Sequence, residues 1–337
     1  MALTERISLA DATTLITDAL TAQSLPRPAA QSVARALVAA EAEGQVGHGF
    51  SRLDDYAAQV RSGKINRTAQ VQISAPSPAA LLVDAGNGFA YPAMDAGIAA
   101  GAELAQKLGT ATIAITRSHH CGALSVQVEK LARQGLVAIM VANAPAAMAP
   151  WGARQAVFGT NPIAFAAPRG PGEDPLVIDL SLSRVARGKV MSAHKAGTTI
   201  PEGWALDAEG NPTTDPAAAL GGTMVPIGEA KGTALALIVE ILAAVMTGAN
   251  FSTDASSFFV ADGPPPGVGQ FLIAMRPPEG VNFIPRLEML LGLIDGLEGA
   301  RLPGTRRKAA ITEARTQGLE VPTRLLDIAR ALAAATD

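Results

Sequence analysis

Five short apolar runs constrain the fold more than any other feature of this chain. Residues 80–84, 111–116, 136–142, 163–167 and 176–180 each have the length and β-rich content of a strand. Helical patterns fill the gaps between the first three, over 93–108 and 123–134. The last three runs leave no such room. Parallel neighbours need a crossover of about a dozen residues or more. The spacing therefore predicts an α/β protein whose sheet is mixed or largely antiparallel.

The flanks read differently. Residues 8–44 carry two amphipathic helices, marked by Leu9, Leu15 and Leu20 and then by Val33, Leu37 and Ala40, with Pro26 and Pro28 between them. A short helix over 52–62 places Leu53, Tyr56 and Val60 on one face and stops at Gly63. Helical patterns return at 284–297, 306–317 and 322–335. Chain ends often lie together, so residues 1–78 and 283–337 are expected to form one helical domain around a central α/β domain, 79–282. Within the centre, 195–227 reads as an irregular excursion rich in Gly, Pro, Asp and Thr. Residues 233–247 read as a buried apolar helix, followed by strands at 257–261 and 270–275.

Composition excludes several classes. With 48% hydrophobic and 17% charged residues the chain can bury a large core. A net charge of -3 and no long basic run argue against nucleic acid as a partner. The single cysteine, Cys121, precludes an intrachain disulfide and suits a reducing, cytoplasmic setting. The N-terminus lacks the apolar core of a signal peptide. The most apolar stretch, 233–246, is broken by Glu240 and falls short of the roughly 20 residues of a membrane span.

Chemistry is first visible at Gly47-His48-Gly49-Phe50-Ser51-Arg52. A helix from His48 onward would bring the imidazole and the guanidinium to one face. That pairing suits reduction of a 2-oxo acid: His48 protonates the oxygen and Arg52 clamps the carboxylate. A capping His beside a solvated Arg is the competing reading. A Rossmann cradle is absent, because after Gly86-Asn87-Gly88 the third glycine position is Tyr91. Ser118-His119-His120-Cys121-Gly122 follows a strand and opens a helix, a place for phosphate, for a plain helix cap or, less well, for a metal. Phe158-Gly159-Thr160-Asn161-Pro162 makes a turn with exposed backbone donors. Gly228-Glu229-Ala230-Lys231-Gly232 and Leu302-Pro303-Gly304-Thr305-Arg306-Arg307 put cations at helix starts, where an anion would be welcome.

The order of these strings, with Ser183-Arg184-Val185-Ala186-Arg187-Gly188-Lys189, Pro201-Glu202-Gly203-Trp204 and Thr213-Thr214-Asp215-Pro216 between them, resembles the non-Rossmann malate/L-lactate dehydrogenase family over about residues 5–330. That family includes ureidoglycolate, sulfolactate and diketogulonate enzymes and the Δ1-piperideine-2-carboxylate/Δ1-pyrroline-2-carboxylate reductases. The resemblance implies a family-specific NAD(P)-binding sheet flanked by helices, in a homodimer. It implies hydride transfer between the nicotinamide and C2 of a small 2-oxo or 2-hydroxy acid. His48 is then the general acid and base, assisted by Lys189, and Arg52 and Thr160 hold the substrate. His120, Cys121, Gly122, Ala123, Leu124, Ile178, Asp179, Leu180, Lys231, Gly304, Arg306 and Arg307 match cofactor-contacting stretches. No metal is implied. NADP(H) is favoured over NAD(H), because two arginines could meet a 2′-phosphate.

Departures leave alternatives open. Many members have Ser before the catalytic His, and here it is Gly47, so a ring partner must come from Ser51 or water. The ketimine reductases tend to carry Ala-Ala-Leu-Trp after the double His, and Gly122-Ala123-Leu124-Ser125 matches only half of it. This favours a 2-oxo acid over a cyclic imine. A non-catalytic metabolite-binding relative is a further alternative, and a zinc hydrolase built on His119, His120 and Cys121 a more distant one.

Overall fold

The computed structural model describes residues 3–335. In chain order its elements are β1 (Thr4–Ile7), α1 (Leu9–Thr21), α2 (Arg27–Ala42), α3 (Leu53–Arg61), β2 (Gln72–Ser77), β3 (Ala80–Asp84), α4 (Ala90–Leu108), β4 (Thr110–Ser118), α5 (Leu124–Ala132), β5 (Val137–Ala142), β6 (Ile163–Ala167) and β7 (Leu176–Leu180). There follow α6 (Arg187–Ala196), β8 (Ala205–Leu206), β9 (Pro212–Thr213), α7 (Pro216–Gly221), β10 (Thr223–Met224), α8 (Ala230–Glu240), β11 (Val268–Met275), α9 (Phe283–Asp295), α10 (Thr305–Gln317), β12 (Leu319–Pro322) and α11 (Thr323–Ala334).

The main sheet runs β2-β3-β4-β11-β5-β6-β7. Only β3 and β4 pair in parallel, through the α4 crossover. Every other neighbour is antiparallel. This is the mixed sheet that the spacing of the apolar runs requires. It starts at Gln72, ahead of the boundary expected at residue 79. Because strand side chains alternate between faces, the sheet has two cores. Ile113, Ile115, Met140, Ala164 and Leu272 face a cluster with α1, α2, α4 and α5. Val141 and Phe271 face a second cluster with α8 and the segments around Met148, Leu182 and Val190. The chain ends meet: β1 pairs antiparallel with β12, and α1 packs on α11.

Three expectations need correction. Residues 257–261 form no strand. The buried Lys64 ammonium takes the carbonyls of Ser257 (2.7 Å), Val260 (3.0 Å) and Asp262 (3.1 Å), the acceptors a strand would offer its neighbour. The excursion 195–227 is less irregular than its composition implied. It holds the end of α6, the whole of α7, capped by Asp215, and the small sheet β10-β8-β9. The apolar helix over 233–247 is neither uniform nor buried all round. It changes from α to π geometry after Glu240, whose buried carboxylate accepts from Asn143, Asn161 and both donors of Ser252. Its outer face leaves Leu237, Ile238, Ile241, Val245 and Met246 exposed. Among the described residues no helix is long and apolar enough to cross a membrane.

Candidate active site

The segment bearing His48 and Arg52 is not a continuous helix. It is two 3-10 turns, Val46–His48 and Phe50–Arg52, broken at Gly49. The break has a cause in α2. The buried Glu41 carboxylate reaches under the turn and accepts the Phe50 N–H at 2.8 Å. A Cβ at residue 49 would overlap that carboxylate, so only glycine fits. Burial raises the Glu41 pKa to about 7.

The turn still brings the two side chains into one site. Arg52 is 8% exposed. Its Nε donates to the Gly47 carbonyl at 2.8 Å, and the guanidinium lies 4.4 Å from the centre of the Phe259 ring. Its Nη1 is buried without a hydrogen bond, with the Asp55 carboxylate 3.9 Å away, too far to satisfy it. The His48 ring stacks on His120, with centroids 5.2 Å apart and planes 16° from parallel. His48 Nδ1 is also buried without a partner. Ser51 does not serve it, because its hydroxyl donates to the Val46 carbonyl at 2.6 Å. A side chain at residue 47 would meet nothing within 4 Å, so space does not exclude the hydroxyl that the family resemblance leads one to expect there. Burial, and then the Arg52 charge, push the His48 pKa down to about 4.

The end of β4 supplies the facing wall. His119 Nε2 is 2.7 Å from Gln59 Oε1, and His120 Nδ1 is 2.5 Å from Tyr56 Oη, which is 2.9 Å from Tyr91 Oη. The two imidazoles thus turn to different partners, and Cys121 is buried with its thiol pushed up to about 12. Among the described residues no three His, Cys, Asp or Glu groups converge as a metal site. Gly122 combines φ of +69° with the Tyr91 hydroxyl where a Cβ would sit. Phe258 packs on both imidazoles, at 5.3 and 5.1 Å, from the loop that Lys64 straps down. Gln59, Lys64, Phe258 and Phe259 were missed by the sequence reading, and Tyr56 was read only as helix core. Their one signal is local: Gln59 and Lys64 are polar residues on or beside the buried face of α3.

Most cofactor-matching stretches come together. The Ser125 N–H, just past Leu124, donates to Asp179 at 2.8 Å, joining 120–124 to 178–180. Asp179 is held above the usual carboxylate range by burial and by nearby Glu43. Gly304 sits against the Val177 carbonyl. Lys231 is exposed at the start of α8, in a segment anchored by Ile227 N–H to Leu182 O at 2.8 Å. Leu182 in turn donates to the Thr160 carbonyl at 2.8 Å. Lys189 is exposed on α6, and no contact of its side chain ties it to His48. Arg307 requires correction: it is not free for a phosphate. It is ion-paired with Glu43 at 2.6 Å and with Glu129. Arg306 is exposed and makes no ion pair among the described residues.

The malate/L-lactate dehydrogenase family model matches residues 7–328. The chain belongs to the malate/L-lactate dehydrogenase family. It is an NAD(P)-dependent oxidoreductase, and the non-catalytic alternative gives way. Within the family, it is 51% identical over 328 residues to a (2R)-3-sulfolactate dehydrogenase (NADP(+)) of Chromohalobacter salexigens, covering 97% of this chain and 98% of the relative. It is 39% identical to a Δ1-pyrroline-2-carboxylate reductase of Ancylobacter novellus, covering 97% of each. The crystal structure of Δ1-piperideine-2-carboxylate reductase from Pseudomonas syringae pv. tomato superposes with a TM-score of 0.92 at 36% identity, covering 97% of this chain and 99% of that one.

The depressed His48 pKa has a measurable consequence. If His48 is the base of oxidation, the imidazole must be neutral in the free protein, whose state kcat/KM reports. With a pKa of about 4, oxidative kcat/KM should stay level from about pH 8 down to about pH 5.5. A pH series that instead halves the rate near about pH 6.5, the ordinary imidazole value, would contradict a buried His48 as the base.

Proposed function

We propose that this family member interconverts a small 2-oxo acid and its 2-hydroxy acid, preferring NADP(H) to NAD(H). The observation that carries this reading is the buried, unsatisfied Arg52 Nη1 beside the buried, unsatisfied His48 Nδ1. A buried guanidinium short of a partner is costly unless a ligand supplies one. A 2-oxo acid carboxylate does so, in the planar geometry that arginine prefers. His48 then gives a proton to the substrate oxygen in reduction and takes it back in oxidation. The bound nicotinamide supplies or accepts the hydride at its C4. The substrate carboxylate offsets the Arg52 charge, one of the two causes that hold the His48 pKa down, so the imidazole gains its proton more readily in the complex. Phe259 covers one face of the Arg52 guanidinium, and Phe258 packs on His120 beside it.

A 2-oxo acid with a second anion, as in 3-sulfopyruvate and (2R)-3-sulfolactate, is the first candidate, because the 51% identical relative is named for that chemistry. The second reading is reduction of a cyclic imine carboxylate, supported by the reductase at 39% identity. Steady-state rates on 3-sulfopyruvate, oxaloacetate, pyruvate and Δ1-piperideine-2-carboxylate, with NADPH and with NADH, separate them. A kcat/KM highest on the imine would replace the first reading by the second. In either case His48→Gln should lower kcat by about 10²–10⁴-fold while KM for NADPH stays nearly constant.

Cofactor choice divides the two arginines. Arg306→Ala should raise KM for NADPH about tenfold and leave NADH nearly unchanged, through loss of a charge-assisted bond to the 2′-phosphate. Arg307→Ala should affect both cofactors alike and lower Tm, because it removes the cation that Glu43 and Glu129 share and leaves them with Gln45, Ser125 and Arg133 alone. Selective loss of NADPH use in the Arg307 variant alone would reverse the assignment.

The exposed aliphatic face of α8, with Leu290, Leu293 and Leu297 exposed on or just beyond α9, supports a homodimer. Light scattering at micromolar concentration should give twice the chain mass, and Ile238→Glu should lower it. A wild-type mass of one chain would rule the dimer out.

A further inference from the structure

Counting the protons in one buried chain of hydrogen bonds decides what His120 offers its surroundings. Tyr91 Oη, Tyr56 Oη and His120 Nδ1 lie in series, at 2.9 and 2.5 Å. Both tyrosines are buried, and neither hydroxyl has another partner among the described residues. Tyr56 therefore donates to one neighbour and accepts from the other. If the imidazole carried its proton on Nδ1, Tyr56 would accept it and donate to Tyr91. The Tyr91 proton would then be stranded in an apolar interior. In the opposite order Tyr91 donates to Tyr56 and Tyr56 donates to Nδ1, and the one proton left without a protein partner is on His120 Nε2, on the residue that keeps part of its surface open. A stranded buried donor biases the two orders by about tenfold or more. The favoured order leaves the imidazole N–H on Nε2.

The surroundings keep these protons in place. Burial pushes both tyrosine hydroxyls above their ordinary range. Burial, and then the Arg52 charge, hold His120 well below the ordinary imidazole value. His120 Nε2 has no partner among the described residues, and the residue keeps 8% of its surface open. Its ring lies parallel to His48.

We propose that His120 is a further hydrogen-bond donor to the substrate, presenting a fixed Nε2–H to an oxygen of the 2-oxo acid beside His48, with Tyr56 and Tyr91 as its positioning residues. This rests on the reaction proposed above. The two imidazoles divide the work: His48 moves its proton, and His120 keeps its own. The stack on His48 and the nearness of the Arg52 charge associate His120 with the substrate carboxyl and carbonyl, beyond the cofactor contact implied by family resemblance.

The chain has only 4 histidines, so a ¹⁵N-histidine spectrum can be assigned with single His→Gln variants. The protein loaded with NADP⁺ is titrated with oxamate, a 2-oxo acid mimic that cannot accept hydride. His120 should be a single neutral Nε2–H tautomer whose proton resonance moves when oxamate is added. An Nδ1–H tautomer, or a response to NADP⁺ with none to oxamate, overturns the proposal. Silence of His48 towards oxamate would instead sink the carboxylate-binding reading, so the two failures are distinguishable. The double variant Tyr56→Phe/Tyr91→Phe leaves no stranded hydroxyl. It should lower kcat about tenfold with KM for NADPH within about twofold, and the oxamate response of His120 should shrink. Unchanged kcat and an unchanged response would remove the tyrosines from any positioning role.

Discussion

The site depends on one buried carboxylate. Glu41, on α2, accepts the Phe50 N–H and occupies the space where a side chain on Gly49 would lie. That contact breaks what would be a helix and folds residues 46–52 into two tight turns. Arg52 Nε can then reach back to the Gly47 carbonyl, and the His48 ring can lie on His120. Lys64 and Glu240 repeat the device. Each is a buried ionisable side chain hydrogen-bonded by groups from loops elsewhere in the chain. A charge taken out of water must find partners or be lost to neutralisation. Here the partners are the backbone and polar side chains of the loops that form the site, so satisfying the charge and fixing the loop are the same event.

The electrostatics follow from burial first and then from two buried cations, Arg52 and, at His119, Lys64. Arg52 is buried beside three imidazoles, and its charge and the loss of water both oppose their protonation. The free site therefore sets the Arg52 guanidinium, with the Asp55 carboxylate 3.9 Å away, among imidazoles that burial keeps from protonation. In the proposed reaction that balance accepts a carboxylate, and His48 is the imidazole whose state changes once the carboxylate has arrived. It also explains why a missing hydroxyl at Gly47 is tolerable: an imidazole that is neutral in the free protein needs no partner to hold an extra proton.

The same logic separates Arg306 from Arg307. Adjacent on α10, they look equivalent in sequence. On a helix they point about 100° apart, and only Arg307 turns inward, to Glu43 and Glu129. Position on the helix decides which cation is structural and which remains available to solvent and ligand.

Much was legible in the sequence. The apolar runs and the gaps between them determined the mixed sheet, because crossover length is a local quantity. The order of short motifs determined the family, and the spacing of His48 and Arg52 correctly paired them, although the helix assumed between them does not exist. What the sequence alone did not reveal lies in contacts between distant segments. Nothing near 257–261 announces that Lys64, far earlier in the chain, will claim its carbonyls. Tyr56 reads as one more apolar position until β4 brings His120 to its hydroxyl. The outer face of α8 reads as core because aliphatic periodicity cannot say which side the sheet will cover. Local geometry follows from neighbours in sequence. The partner of a buried polar group is chosen only when the chain has closed around it.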